Sequence, residues 1–258
     1  MTIKAHAKIN TFLKITGHKN GYHTLLSRFI RVPHLYDTIS FVPQECETFI
    51  IEGCGDVPVE SNTIYKSFKA MNIKTDFFKH HKVVMDKKIP TGAGLGGGSS
   101  DAGAFMRLFN EVCDLQIDTP TLAKMGSTVG ADIPFFVYDY NSANVSGFGE
   151  IVEPFEDEPF EIELFMPDIH CDTPLVYKTF KRYLLDKIEP TRFKGWEKLT
   201  TREVLSKVNA MEANDLYRAS HIAYPKLQML FHHQMIKNEW YFNEWYFSGS
   251  GSTFFRIK

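Results

Sequence analysis

The sequence predicts an α+β protein, and three observations carry that prediction. Apolar residues recur at every second position through most of the first third of the chain, and at helical spacing through much of the remainder. The two kinds of segment come in runs, not in the regular strand–helix alternation of a parallel sheet. Finally, "EPFEDEP" packs four acids and two prolines into seven residues, and a second series of strands and helices begins just after it. The predicted division is 1–155 and 156–258, and the 43% hydrophobic content suffices for a core in each part.

The opening "IKAHAKINTFLKITG" puts Ile3, Ala5, Ala7, Ile9, Thr11, Leu13 and Ile15 on one face and His6, Lys8, Asn10, Phe12 and Lys14 on the other, as in a half-buried strand. After a turn in "GHKNG", the segments "YHTLLSRFIRV", "DTISFVP" and "ETFIIEG" continue as strands of a largely antiparallel sheet. Ser61 or Asn62 opens a helix through Ile64, Phe68 and Met71. Val83, Val84 and Met85 read as a short strand, and Phe105, Leu108, Phe109 and Val112 as one face of a second helix. Thr119-Pro120 starts a third helix, ended by Gly130. In "GADIPFFV", Asp132 stands between that glycine and what reads as a strand of large apolar residues. Beyond the break come the strand "FEIELF", the helix "TPLVYKTFKRYLL", helical stretches from about Thr201 and Tyr224, and a strand after "SGSGS". "NEWYF" occurs twice in tandem at 238–247. Five added residues reverse the faces of a strand, so one copy is expected to bulge or to end the preceding helix.

Composition narrows the functional classes. With 29 basic and 31 acidic residues and no basic tail, nothing neutralises a polyphosphate backbone, so nucleic-acid binding is not expected. Cys46, Cys54, Cys113 and Cys171 lack C-x-x-C spacing, and neither a signal-peptide core nor an 18-residue apolar run is found. The expectation is a reduced, cytoplasmic protein without membrane attachment. The pairs His80-His81 and His232-His233 read as surface residues, because adjacent side chains diverge.

Between the short strand and the second helix lie five glycines in seven residues, Gly92 to Gly98. Glycine accepts positive φ and lets a ligand approach the backbone, while the first turn of a helix offers unpaired N–H groups and partial positive charge. Together they make an anion cradle, typically for phosphate. Ser99 or Ser100 is placed to cap that helix or to face a phosphate oxygen. The nucleotide P-loop is excluded, since Ser-Ser-Asp stands where it needs Lys, and Lys87 and Lys88 precede the loop. Gly92, Gly94 and Gly97 formally satisfy G-x-G-x-x-G, which keeps a dinucleotide-dependent oxidoreductase as an alternative. Against it, the preceding segment is no continuous apolar run, and Asp114 and Asp118 fall around a helix end rather than on a second strand. A nucleotide-binding sensor without turnover is a further alternative. By composition alone, Asp132 is a turn residue and Lys8 an exposed strand charge.

Three separated motifs change that reading. "AKINTFLKITGHKNGYHTL", "IPTGAGLGGGSSDA" and "FSGSGSTFF", in this order and spacing, resemble the motifs of the GHMP kinases, and "GADIPFFV" falls where that family keeps its catalytic aspartate. The resemblance spans nearly the whole chain. It implies a GHMP kinase fold, with an N-terminal sheet-and-helix ATP-binding domain and a C-terminal ferredoxin-like domain. It also implies Lys8 and Asp132 as catalytic residues, and Pro90, Thr91, Gly92, Ala93, Gly94, Leu95, Gly96, Gly97, Gly98, Ser99 and Ser100 as the ATP-phosphate loop, with Mg²⁺. Asn10, Tyr22, His23, Thr173 and Tyr177 are implied as substrate contacts. The Gly21-Tyr22-His23 stretch is similar to the branch that phosphorylates the 2-hydroxyl of 4-diphosphocytidyl-2-C-methyl-D-erythritol, with Tyr22 and Tyr177 suited to stacking on cytosine and His23 to reading its edge. Another small-molecule kinase of the same superfamily is the alternative, and the protein is expected to be a monomer or homodimer. Family members usually continue with a helix and a strand where this chain stops at "STFFRIK", which implies a C-terminal domain shortened at its end, with one flank of its sheet exposed.

Overall fold

The computed structural model describes residues 1–258 apart from Asn20, Glu239, Trp240, Phe242 and Asn243. Two long strands, β1 (Thr2–Lys19) and β2 (Tyr22–Pro43), form an antiparallel pair running from Thr2 opposite Ser40 to Lys19 opposite Tyr22. The other edge of β2 is shared by β4 (His81–Asp86) and β5 (Ser142–Gly147). Next to these lie β3 (Ile51–Glu52) and β6 (Ile151–Pro154), completing a six-stranded sheet. "YHTLLSRFIRV" and "DTISFVP" are thus one strand, while of "ETFIIEG" only Ile51 and Glu52 pair.

The half-buried strand expected at the start needs correction: from Ala7 to Ile15 every residue of β1 is buried. Strict alternation is broken by register shifts at His6/Ala7, Asn10/Phe12 and Ile15/Gly17. Both faces are also covered, since Ala5 packs in the cluster around Phe105, and Ala7 and Ile9 pack with Leu205, Tyr246 and Phe255 from the far end of the chain. The free edge of β1 is closed by other segments: Lys8 N–H donates to Leu95 O (3.0 Å), Asn10 N–H to Ser248 Oγ (3.2 Å) and Ile15 N–H to Asp215 Oδ2 (2.7 Å). An edge strand satisfied in this way carries its side chains directly to the glycine-rich segments.

Helices α1 (Thr63–Met71), α2 (Gly97–Val112) and α3 (Thr119–Ser127) cover the six-stranded sheet, and Phe41, Phe78, Phe105 and Phe109 fill the space between the layers. Asn62 and Asp118 cap α1 and α3 by accepting the Ile64 and Thr121 N–H groups. The segment after Asp132, expected from the sequence to be a strand, is a short helix, α4 (Ile133–Tyr138). Its residues Ile133 to Val137 are all buried, so the apolar run has no polar face from which a period could be read.

A second sheet of three strands runs β7 (Ile162–Phe165), β9 (Phe254–Ile257), β8 (Tyr246–Phe247). With it lie α5 (Thr173–Tyr183), α6 (Thr201–Leu205), α7 (Ala210–Ala213), α8 (Tyr217–Ala223) and α9 (Pro225–Asn238). The first "NEWYF" copy falls largely outside the described residues. In the second copy Trp245 is buried and Tyr246-Phe247 form β8. The acidic segment between the sheets is not a loose connection. Asp157 accepts from Thr201 N–H (3.0 Å) and Thr201 Oγ1 (2.5 Å), and lies 3.7 Å from the fully buried Arg28 of β2. Arg28 also donates to the Leu199 and Glu197 carbonyls, joining the two halves through one side chain. Among the described residues, no helix is long and apolar enough to cross a membrane.

Candidate active site

The glycine loop is held by its carbonyls. Gly92 O accepts from Cys171 N–H (2.8 Å), Ala93 O from Thr253 N–H (3.1 Å), Gly94 O from Ser248 Oγ (2.9 Å), Leu95 O from Lys8 N–H (3.0 Å) and Gly96 O from Ser100 N–H (2.8 Å). Five consecutive negative dipole ends are thereby turned into the frame. Positive φ at Gly92, Gly94 and Gly96, with Ala93 and Leu95 between them, gives the alternating backbone that gathers N–H groups into an anion-binding nest. The nest leads into α2, whose first N–H groups have no intrahelical acceptor. The approach of the third glycine motif is close: a Cβ at Gly94 would lie 2.2 Å from Ser248 O, and one at Gly249 would lie 3.2 Å from both Asn10 Oδ1 and Gly94 O.

The capping expectation changes for both serines, and the cleft-facing one for Ser100 alone. Gly96 is the N-cap of α2, so Ser99 and Ser100 lie inside its first turn and cap nothing. Ser100 is buried, donates to His6 O (2.6 Å) and does not reach the cleft, whereas Ser99 lines it.

Beside the loop, Lys8 Nζ lies 3.5 Å from Asp132 Oδ2, donates to Asn10 Oδ1 (2.5 Å) and sits 4.4 Å from the centre of the Phe29 ring. Burial pulls the Lys8 pKa below the usual lysine value, and the Asp132 charge opposes that pull. Asp132 arrives from the turn before α4 and is about a third exposed, so its carboxylate faces the cleft while the ammonium is enclosed. Asn10 also donates to Ser27 Oγ (2.9 Å), which leaves it one amide hydrogen for a ligand.

The cleft has a volume of about 1250 Å³. It is lined by Lys8, Asn10, Tyr22, His23, Asp132, Thr173, Tyr177 and the loop from Pro90 to Ser99, which is every residue singled out in the sequence except Ser100. At one end the His23 ring stacks on Tyr177 (centroids 5.5 Å apart, planes at 28°), and the 71%-exposed Tyr22 meets Phe148 edge-on. His23 Nε2 is buried there without a hydrogen-bond partner, an orphan polar atom that a ligand edge can satisfy. Burial, then the His18 and Lys181 charges, hold the His23 pKa below the usual histidine value; burial and Asp132 raise that of Tyr177, so both rings are neutral near pH 7. Thr173 Oγ1 is paired with Ser250 Oγ (2.7 Å).

The sequence reading missed Asn62, Met85, Lys87, Asp101, Phe148 and Lys181, which also line the cleft. Proximity of Lys87 and Asp101 to the loop was the one signal available for any of them. The dinucleotide alternative fails on topology. Among the described residues the one parallel pairing in the first sheet joins Ile51-Glu52 to Val83-Val84, and no second parallel strand comes after the loop helix.

The comparisons agree with this geometry. Residues 62–140 match the family described as "GHMP kinases N terminal domain". At 16% identity the fold alone is shared with the mevalonate kinase of Methanococcus jannaschii, with a TM-score of 0.64 over 100% of this chain and 90% of that one. The chain belongs to the GHMP kinases. It is 54% identical to the 4-diphosphocytidyl-2-C-methyl-D-erythritol kinase of Sulfurovum sp. (strain NBC37-1), over 100% of this chain and 99% of the relative, and 43% identical to that of Sulfurimonas denitrificans, over 99% and 96%. A crystal structure of 4-(cytidine 5'-diphospho)-2C-methyl-D-erythritol kinase superposes with a TM-score of 0.73 at 25% identity, covering 100% of this chain and 90% of the other. Within the GHMP kinases, these full-length matches put it in the 4-diphosphocytidyl-2-C-methyl-D-erythritol kinase family.

Proposed function

We propose that this chain transfers the γ-phosphoryl group of ATP to the 2-hydroxyl of 4-diphosphocytidyl-2-C-methyl-D-erythritol, a step toward isoprenoid precursors by the non-mevalonate route. The observation that carries the mechanism is the Lys8–Asp132 pair, 3.5 Å apart at the mouth of the nest. Phosphoryl transfer to an alcohol asks for an acceptor for the hydroxyl proton and for compensation of charge on the transferring oxygens. Asp132, facing the cleft, takes the proton. Lys8, held by Asn10 and enclosed against Phe29, presents fixed positive charge that needs no reorganisation as the reaction proceeds. The N–H groups of Gly94 to Ser99 and the positive end of α2 hold the polyphosphate. Tyr22, His23 and Tyr177 receive the cytosine, with Asn10 and Thr173 nearer the loop.

Mg²⁺ supplies further charge neutralisation when bound. An ion carried in on the nucleotide phosphates keeps most of its water and needs few protein ligands. Residues from both proposed parts, 1–155 and 156–258, line the cleft, the second contributing Thr173, Tyr177 and Ser250 among others. The protein is proposed to act in the cytoplasm, as a monomer or homodimer.

The test is to supply Mg-ATP with a panel of alcohols that includes the cytidylyl substrate and to measure ADP. Release of ADP with that substrate above all others supports the assignment; preference for a different alcohol overturns the substrate. Titration with NAD in parallel should show weaker binding than Mg-ATP.

A further inference from the structure

The loop helix carries a charge that an anion site should not tolerate. Asp101, in the second turn of α2, is 3% exposed and lines the cleft. Its Oδ2 accepts from Lys87 Nζ at 2.6 Å, and its Oδ1 is buried with no hydrogen-bond partner. Lys87 does not belong to Asp101 alone, because the same ammonium donates to Oδ2 of the fully buried Asp37 on β2 at 2.5 Å. Asp37 is further held by the Lys88 and Ile89 N–H groups on its other oxygen, so three donors serve Asp37 and one serves Asp101. These are the charged groups that face Asp101: Lys87 from the strand-to-loop segment and Asp37 from β2, with none from α2 itself. Lys88 turns away to Asp86. Two buried carboxylates thus share one ammonium, an excess of one negative charge if both are ionised.

Lys87 is also placed to serve the ligand. It lines the cleft, its side chain is 27% exposed, and its Nζ lies 3.7 Å from where a Cβ on Gly97 would stand, at the positive end of α2. A polyphosphate in the nest competes with the two carboxylates for that ammonium. It also adds negative charge beside the buried excess, which raises the cost of keeping both carboxylates ionised.

Resting on the proposed nucleotide site, we infer that Asp101 is a positioning residue that takes up a proton from solvent as the polyphosphate enters, so that Lys87 turns from Asp101 to the phosphates while Asp37 keeps hold of it. The proton goes to the least-bonded carboxylate of the cluster, and leaves again when the nucleotide does. Burial already pushes the Asp101 carboxyl up to about 7, against the pull of Lys87 and with the help of Asp37, so the free protein is partly ionised there near neutral pH.

The experiment is calorimetric titration of the full chain with Mg-ADP slightly above neutral pH, in two buffers of different ionisation enthalpy, which counts protons exchanged per nucleotide. The parent is expected to take up a fraction of a proton approaching one, and its nucleotide affinity to fall as pH rises above neutral. Asp101→Asn, close to isosteric, is expected to bind Mg-ADP without that uptake and with a flatter pH profile. A purely structural role for Asp101 would change affinity and leave the proton count alone. Equal counts in parent and variant overturn the inference. So does an absence of uptake with a pH-independent affinity in the parent, which decides the matter even if the variant does not fold. Failure of the parent to bind nucleotide at any pH overturns the nucleotide site itself, a result distinct from binding without proton uptake.

Discussion

Replacing Gly94 by alanine tests whether the shape of the loop is imposed by contact with the third glycine motif. Two costs are visible. The residue has φ of +74°, a region where an L side chain costs about 1–2 kcal/mol. Its Cβ would stand 2.2 Å from Ser248 O and 3.0 Å from Gly251 O, both backbone atoms that cannot rotate away. Forcing a methyl into such packing typically costs about 1–3 kcal/mol. The sum is about 2–5 kcal/mol, and at roughly 2–4 °C per kcal/mol for a chain of this size the melting temperature should fall by about 4–20 °C. ATP affinity should fall with it, since moving Ser248 breaks the bond that turns Gly94 O away from the nest. Gly98→Ala is the control. It is helical, its Cβ meets nothing nearer than Thr63 Oγ1 at 3.5 Å, and leaving glycine inside a helix gains about 0.5–1 kcal/mol, so its stability should hold or rise. Thermal unfolding and nucleotide titration of the two variants side by side make the comparison. A Gly94→Ala protein melting within about 2 °C of the parent would refute the idea that backbone contact shapes the loop.

Asp132→Asn should keep the fold and ATP binding but lose about 10²–10⁴-fold in single-turnover rate, the usual worth of a general base; retention of half the parent rate would return Asp132 to a turn residue. Lys8→Ala should lose a comparable factor, and the double variant less than the product, because the two residues act as one unit. Tyr22→Ala should weaken the cytidylyl substrate by about 1–3 kcal/mol while ATP affinity stays level, and unaltered substrate affinity would argue against cytosine stacking there. For pH, Asp101 titrates at about 7 in the folded protein and at about 3.9 in an unfolded chain, so between those values the folded state holds a proton that the unfolded state has released. Its stabilisation is therefore complete below about 4 and is lost as pH rises through 7; denaturant midpoints across that window should slope less in Asp101→Asn, and an identical slope would count against the assignment.

Much of the site was legible because its chemistry is local. A run of glycines between a strand and a helical pattern specifies positive φ and a helix start whatever surrounds it, and the structure shows that turn at Gly92, Gly94 and Gly96. Asn62, Asp118 and the Thr173-Pro174 start of α5 likewise act within one turn of themselves. Where sequence and structure differ, distant contacts decide or the local signal is missing. A fully buried apolar run such as "IPFFV" has no period to separate strand from helix, and the Ser100 hydroxyl is drawn away from the cleft by His6 O, 94 residues away.

By itself, then, the sequence determined which segments could turn, start helices and offer N–H groups, since those properties belong to a residue and its immediate neighbours. Only the tertiary structure decided that Lys8 meets Asp132, that Asp37 and Asp101 divide Lys87, and that Lys8, Cys171, Ser248 and Thr253 tie back the loop. The reason is physical: the energy of a buried ammonium or carboxylate depends on which groups stand within a few ångströms of it and on how much water is excluded, and neither quantity exists until the chain has folded.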